Sequence, residues 1–170
     1  MRFSYILSLP LSLFLLSCGP ASWRHAEKAI ETGDMVNAVR YSTQTLREKP
    51  GHEEALDFLN RELPRIYDDF YARAQRTERA SDWDEAFRLY ADIQVMSDAV
   101  RGLPPQQHAG TKQMITLPTR DVDKEHQAAR EQAAEKHYQA GLAFERQGIS
   151  KDAARAFTRA LDYIKNYRDA

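Results

Sequence analysis

The 170-residue chain has one cysteine, so no intrachain disulfide can staple it. It has no surplus of either charge: 24 Lys and Arg stand against 25 Asp and Glu, for a formal charge of -1. A nucleic-acid binder would carry a basic excess on one face, and nothing here supplies it. No apolar run reaches the roughly 20 residues that cross a bilayer. Sustained alternation of apolar and polar residues, the mark of half-buried strands, is missing.

Catalytic signatures are equally scarce. No G-x-S-x-G, Walker loop or dinucleotide-binding glycine pattern occurs. His52-Glu53-Glu54-Ala55-Leu56 lacks the second histidine of a zinc-binding HExxH helix. His25, His52, His108, His126 and His137 are scattered, and the last two stand about 16 Å apart along a helix, too far to share one ion. Asp68-Asp69 and Glu53-Glu54 are adjacent, so their side chains diverge by about 100° and serve as solubilising charge. No metal, no cofactor and no catalytic residue are expected, and the chain is not expected to be an enzyme.

Met1 to Ser4 gives a short positive start, and Tyr5 to Leu16 is almost wholly apolar. That length suits a secretory signal peptide over residues 1–17, which is then excluded from the fold. Directly after it, Leu15-Leu16-Ser17-Cys18-Gly19 resembles the lipobox of bacterial lipoproteins, with Leu16 bulkier than is usual there. The resemblance implies that the Cys18 thiol receives a diacylglycerol, that the chain is cut before it, and that the new amine is acylated. Two or three acyl chains anchor permanently where one is marginal.

Membrane lipid is thus one expected partner, and with the mature net charge at about -2, attraction to anionic lipid adds little. Residues 18–22 form a tether of roughly 15 Å at most. Trp23 either touches headgroups or packs between helices. Gly19, where enteric relatives retained at the inner membrane carry an acid, implies an outer-membrane location if the source has two membranes.

The remainder, 23–170, is rich in Ala, Glu, Arg, Lys, Gln and Leu, with apolar residues at three- and four-residue spacing. It predicts an all-α domain. Breaks fall at Gly33-Asp34, Pro50-Gly51, Ser81-Asp82, Gly102 to Arg120 and Gly148-Ile149-Ser150. Asp82 with Glu85 forms a capping-box-like start, and Ser150 is placed to cap the last helix.

One small-residue pattern recurs three times. His137-x2-Ala140-Gly141-x2-Phe144, then Ala153-x3-Phe157-x2-Ala160, resembles the tetratricopeptide repeat, departing from it at His137, Ala140 and Lys165. Weaker copies run through Ala26, Gly33-Asp34, Ala38, Leu46 and Pro50, and through Phe70, Ala74, Asp82, Glu85-Ala86 and Tyr90. Antiparallel helices cross closely only over small residues, so Gly141 is expected to face Ala153 and Ala160, with Phe144 and Phe157 filling flanking holes.

The copies are spaced 48 and 67 residues apart, against 34 in that family. The first excess predicts one extended helix from about His52 to Ala80, either kinked at Pro64 or restarted there. The second predicts a long helix from about Val122 to Gln147 after an irregular connection over about 101–120. Within that connection, Met114-Ile115-Thr116-Leu117 is apolar enough to dock on the helices or to join something else as a strand. The expected architecture is a short, irregular solenoid of stacked helix pairs.

The resemblance implies a concave face built by the first helix of each pair and suited to holding a protein or peptide. Its groove-facing places fall on Asp68, Tyr71, Gln75 and Arg79, and on Glu135, Tyr138, Leu142 and Arg146. Tyr and Arg are residue types that often dominate interface energetics. The expected function is a membrane-anchored, non-catalytic adaptor in the bacterial envelope that binds another envelope protein. A pilotin-like or assembly-factor lipoprotein is the rival, and an envelope hydrolase a lesser one. The chain stops where a further helix would begin, so it is a fragment, or its last surface is covered by a partner or a second copy.

Overall fold

A computed structural model describes residues 20–108 and 110–170. The expected signal peptide, the lipobox and Cys18 lie outside these described residues. The elements, in order, are α1 (Ala21–Thr32), α2 (Met35–Glu48), α3 (Glu53–Arg79), α4 (Trp83–Arg101), β1 (Gln106–Gln107), β2 (Met114–Ile115), α5 (Asp123–Arg146) and α6 (Ser150–Tyr163). The fold is all-α, made of packed helix pairs: α1 lies on α2, α3 on α4 and α5 on α6. The pairs are joined side to side where α2 meets α3 and α4 meets α5.

The turns inside the three pairs share one backbone geometry. Each pair turns through one left-handed residue, Gly33 (φ 75°), Ser81 (φ 57°) and Gly148 (φ 74°). The next residue, Asp34, Asp82 or Ile149, has φ between -80° and -94° and starts the second helix. Its N–H reaches back to the first helix in every case: Asp34 to the Ala29 carbonyl, Asp82 to Thr77 and Ile149 to Phe144, each at 2.9 Å. This is the bond that closes a Schellman-type helix end.

The capping expectations need correction. Asp34 does cap α2, its carboxylate accepting from the Asn37 N–H at 3.2 Å. Asp82 occupies the cap position of α4 but makes no side-chain cap bond, and the reciprocal half of the expected box is absent too: the Asp82 N–H donates to the Thr77 carbonyl and Glu85 pairs with Arg88. Ser150 is the first residue of α6 and Ile149 holds the cap position, since the turn takes one residue fewer than the sequence pattern allowed for.

α3 runs unbroken through Pro64, so the alternative of a second helix starting there does not hold. Pro64 and Asn60, whose carbonyl loses its helical donor, both face solvent, where water can replace that bond. The core is filled by Val39, Leu46, Leu56, Leu59, Leu63, Leu89, Ile93 and Met96, from α2, α3 and α4, with Val122, just before α5, and Ala129 of α5 closing it. Trp23 packs against this core and lies 5.4 Å from the His52 ring.

The long connection forms a hairpin of its own, with β1 antiparallel to β2 and Gln106 opposite Ile115. Leu103, Ile115 and Leu117 dock on the helical core, while Met114 is 59% exposed. Gln106, 3% exposed, accepts from the Gly51 N–H at 3.3 Å and donates to the Pro104 carbonyl at 2.7 Å, tying the hairpin to the α2–α3 turn. Ser97 fastens the other end, donating to the Arg120 carbonyl at 2.8 Å.

At the α5–α6 crossing the aromatic ring comes closer to the glycine than a flanking position. A Cβ on Gly141 would stand 2.5 Å from the Phe157 ring, so the phenyl group is the nearest neighbour of the glycine. The ring is too large to sit beside the crossing and uses the space that the missing side chain leaves.

Candidate functional site

Asp68, Tyr71, Gln75 and Arg79 rise along one side of α3, and Glu135, Tyr138, Leu142 and Arg146 along one side of α5, at the same three- and four-residue steps. The structure gathers them into two separate clusters.

In the first cluster, Tyr71 is half-buried, with the Arg120 guanidinium 4.0 Å over its ring and its hydroxyl donating to Glu125 at 3.1 Å. Arg120 also pairs with Asp68 at 2.6 Å. Burial, with the Glu125 carboxylate beside it, pushes the Tyr71 hydroxyl above its ordinary pKa. Gln75 is half-buried and Arg79 exposed farther along the helix.

In the second cluster, Tyr138 is only 7% exposed, because residues 167–169 lie over it. Its hydroxyl donates to the Asp169 carboxylate. The Arg168 guanidinium stands 5.0 Å from the Tyr138 ring and 5.3 Å from that of Tyr167, and pairs with Glu135 at 2.8 Å. Tyr167 donates to the same Glu135 oxygen at 2.7 Å, and Gln139 to the other at 2.9 Å. Donation from Tyr167 and Gln139, with Arg168 close by, holds the Glu135 carboxyl below its usual range. Leu142 is half-buried and Arg146 exposed.

Sequence reasoning missed Arg120 and residues 167–169, the partners that organise both clusters. They lie 52 and about 30 positions from what they touch, and no local spacing reports contacts of that kind. It also missed Asp84. In the first turn of α4, this carboxylate accepts from Lys136 Nζ (2.8 Å), Tyr163 Oη (2.6 Å) and the ring of His137 (2.6 Å). Burial raises its pKa, but the three donors outweigh that and hold the carboxyl well below the ordinary value. His137, 9% exposed, stacks on Tyr163 at 5.8 Å. These contacts lock α4, α5 and α6 together.

Beyond this lock α5 and α6 share an open hollow of about 780 Å³, floored by Ala140, Phe144 and Ala156 and edged by Lys151, Arg155 and Arg159. Among the described residues no three His, Cys, Asp or Glu side chains gather as a metal site, and no helix is long and apolar enough to cross a membrane. No protein-family model matches the chain, and neither a curated protein nor a solved structure does.

Proposed function

We propose that this chain is a membrane-anchored, non-catalytic protein-binding scaffold of a bacterial cell envelope, with tetratricopeptide-like helix pairs as the binding body and lipidated Cys18 as the anchor. The observation that carries the reading is that the first helices, α3 and α5, carry Tyr, Arg and carboxylate groups at equivalent steps along one side. Such side chains combine large contact area with charge-assisted hydrogen bonds, which suits recognition of another chain. The anchor is supported by the position of the sole cysteine directly after an apolar stretch of signal-peptide length.

Site-specific photocrosslinking in cells tests the binding body. A crosslinker at Gln75, Arg79 or Leu142 is expected to capture one shared envelope protein, and a crosslinker at Arg88 none. A persistent complex fits a scaffold, and a single transient client the pilotin-like rival. Absence of any capture from the α3 and α5 positions, or equal capture from Arg88, sinks the reading. Labelled palmitate is expected to enter the protein and to be lost from Cys18→Ala.

A further inference from the structure

Residues 164–170 turn back along α5 and cover Glu135 and Tyr138, two of the positions assigned above to partner binding. What they present is specific: one arginine held between a carboxylate and two phenol rings, followed by a carboxylate that meets a phenol hydroxyl. Planar guanidinium groups suit this setting, because they stack on an aromatic face while donating in their own plane.

The backbone that delivers these groups is strained. Asn166 (φ 58°) and Arg168 (φ 51°) are both left-handed. Asparagine tolerates this; arginine adopts it against the crowding of its own Cβ. Half-exposed ion pairs such as Arg168 with Glu135 contribute little net stability in water. The segment is therefore complementary to α5 and held in part against the strain of its own backbone, which are the properties of a cover that another chain can replace.

The geometry points to the Glu135–Tyr138 side of α5 as a recognition site for an extended protein segment carrying an arginine between an aromatic residue and a carboxylate, with Tyr167-Arg168-Asp169 occupying it as an internal stand-in. This rests on the protein-binding reading and supplies the chemistry of the segment bound.

The probe is a fluorescein-labelled peptide, Ile-Lys-Asn-Tyr-Arg-Asp-Ala, matching residues 164–170. It is titrated by fluorescence anisotropy into the full chain and into the full-chain double variant Tyr167→Ala/Arg168→Ala, whose own segment has lost its holds. Saturable binding is expected to the double variant, and binding at least about 10-fold weaker to the unaltered chain, where the tethered segment competes at high effective concentration. Adding Glu135→Gln, or replacing the peptide's arginine by alanine, should weaken binding about 10-fold or more.

Equal binding to both proteins, or no binding to the double variant, overturns the proposal. Should the double variant fail to fold, Glu135→Gln alone decides: faster hydrogen exchange confined to residues 165–170 is required, and unchanged exchange there overturns it. A peptide that does not bind while Arg79 and Leu142 still crosslink a partner removes this site and leaves the scaffold. A peptide that binds without any captured partner removes the scaffold and leaves the site.

Discussion

Gly141 and His126 show how much a single position carries. The Phe157 ring lies where a Cβ on residue 141 would be, and a stiff phenyl ring in a helix crossing cannot yield without opening the contact. Gly141→Ala is expected to destabilise by about 1–3 kcal/mol in urea unfolding, with most of the loss recovered in Gly141→Ala/Phe157→Leu. Unchanged stability in the single variant would show that the ring moves aside freely. His126 stacks on Phe87 at 4.5 Å, and one ring nitrogen is buried without a partner. Burial, and then Arg130, lower its pKa, with Asp123 opposing.

The unfolded chain therefore takes up a proton near pH 6.5 that the folded chain refuses, so the stabilising contribution is present above that pH and is lost as pH falls through it. Stability should drop between pH 7.5 and 5, and His126→Phe should reduce the drop. A slope that the substitution leaves unchanged would assign it to other groups. Asp84 acts in the same sense but only below the ordinary carboxylate range, outside this window.

At the scale of elements, the turns within the three pairs are one design written twice with glycine and once with serine. Ser81 meets the left-handed requirement at a cost of about 1–2 kcal/mol that glycine avoids, less the entropy glycine loses on folding. Ser81→Gly should raise stability by about 0.5–1 kcal/mol, and a lower melting temperature would contradict this. Pro64→Ala restores a backbone donor inside α3 and should stabilise by about 1–2 kcal/mol; a loss would mean that the fold uses a bend at this point.

Both positions show what was legible beforehand. Small residues, turn signals and the 48- and 67-residue offsets placed the helices to within a residue or two, because helix ends and close crossings obey local chemistry. Cap hydrogen bonds were not legible: Asp82 and Ser150 have the right side chains, yet Ser150 falls one residue inside α6 and the Asp82 N–H is already taken by the Thr77 carbonyl.

Across the whole molecule, Asp84 decides how the last pair is carried. One carboxylate collects Lys136, His137 and Tyr163, so Asp84→Ala should loosen α5 and α6 from α4 more than it unsettles the rest. Hydrogen exchange is expected to quicken over residues 150–163 with α2 and α3 unchanged, and uniform quickening would place the cooperative unit differently. The candidate site was half legible. Resemblance to the groove-facing places of a repeat family singled out Tyr71 and Tyr138, but the groups that engage them come from the connection and from residues beyond α6, and such meetings exist only once the chain is folded.

The hairpin has a practical corollary. Its two strands pair across a surface tip, one side fastened by Gln106 to the α2–α3 turn and the other by Ser97 to α4. A single cleavage between Thr111 and Lys112 would leave two polypeptides, four helices on one and two on the other, still interlocked. Expressed separately, these halves should reassemble, which makes this point the natural place to divide the protein into a complementation reporter.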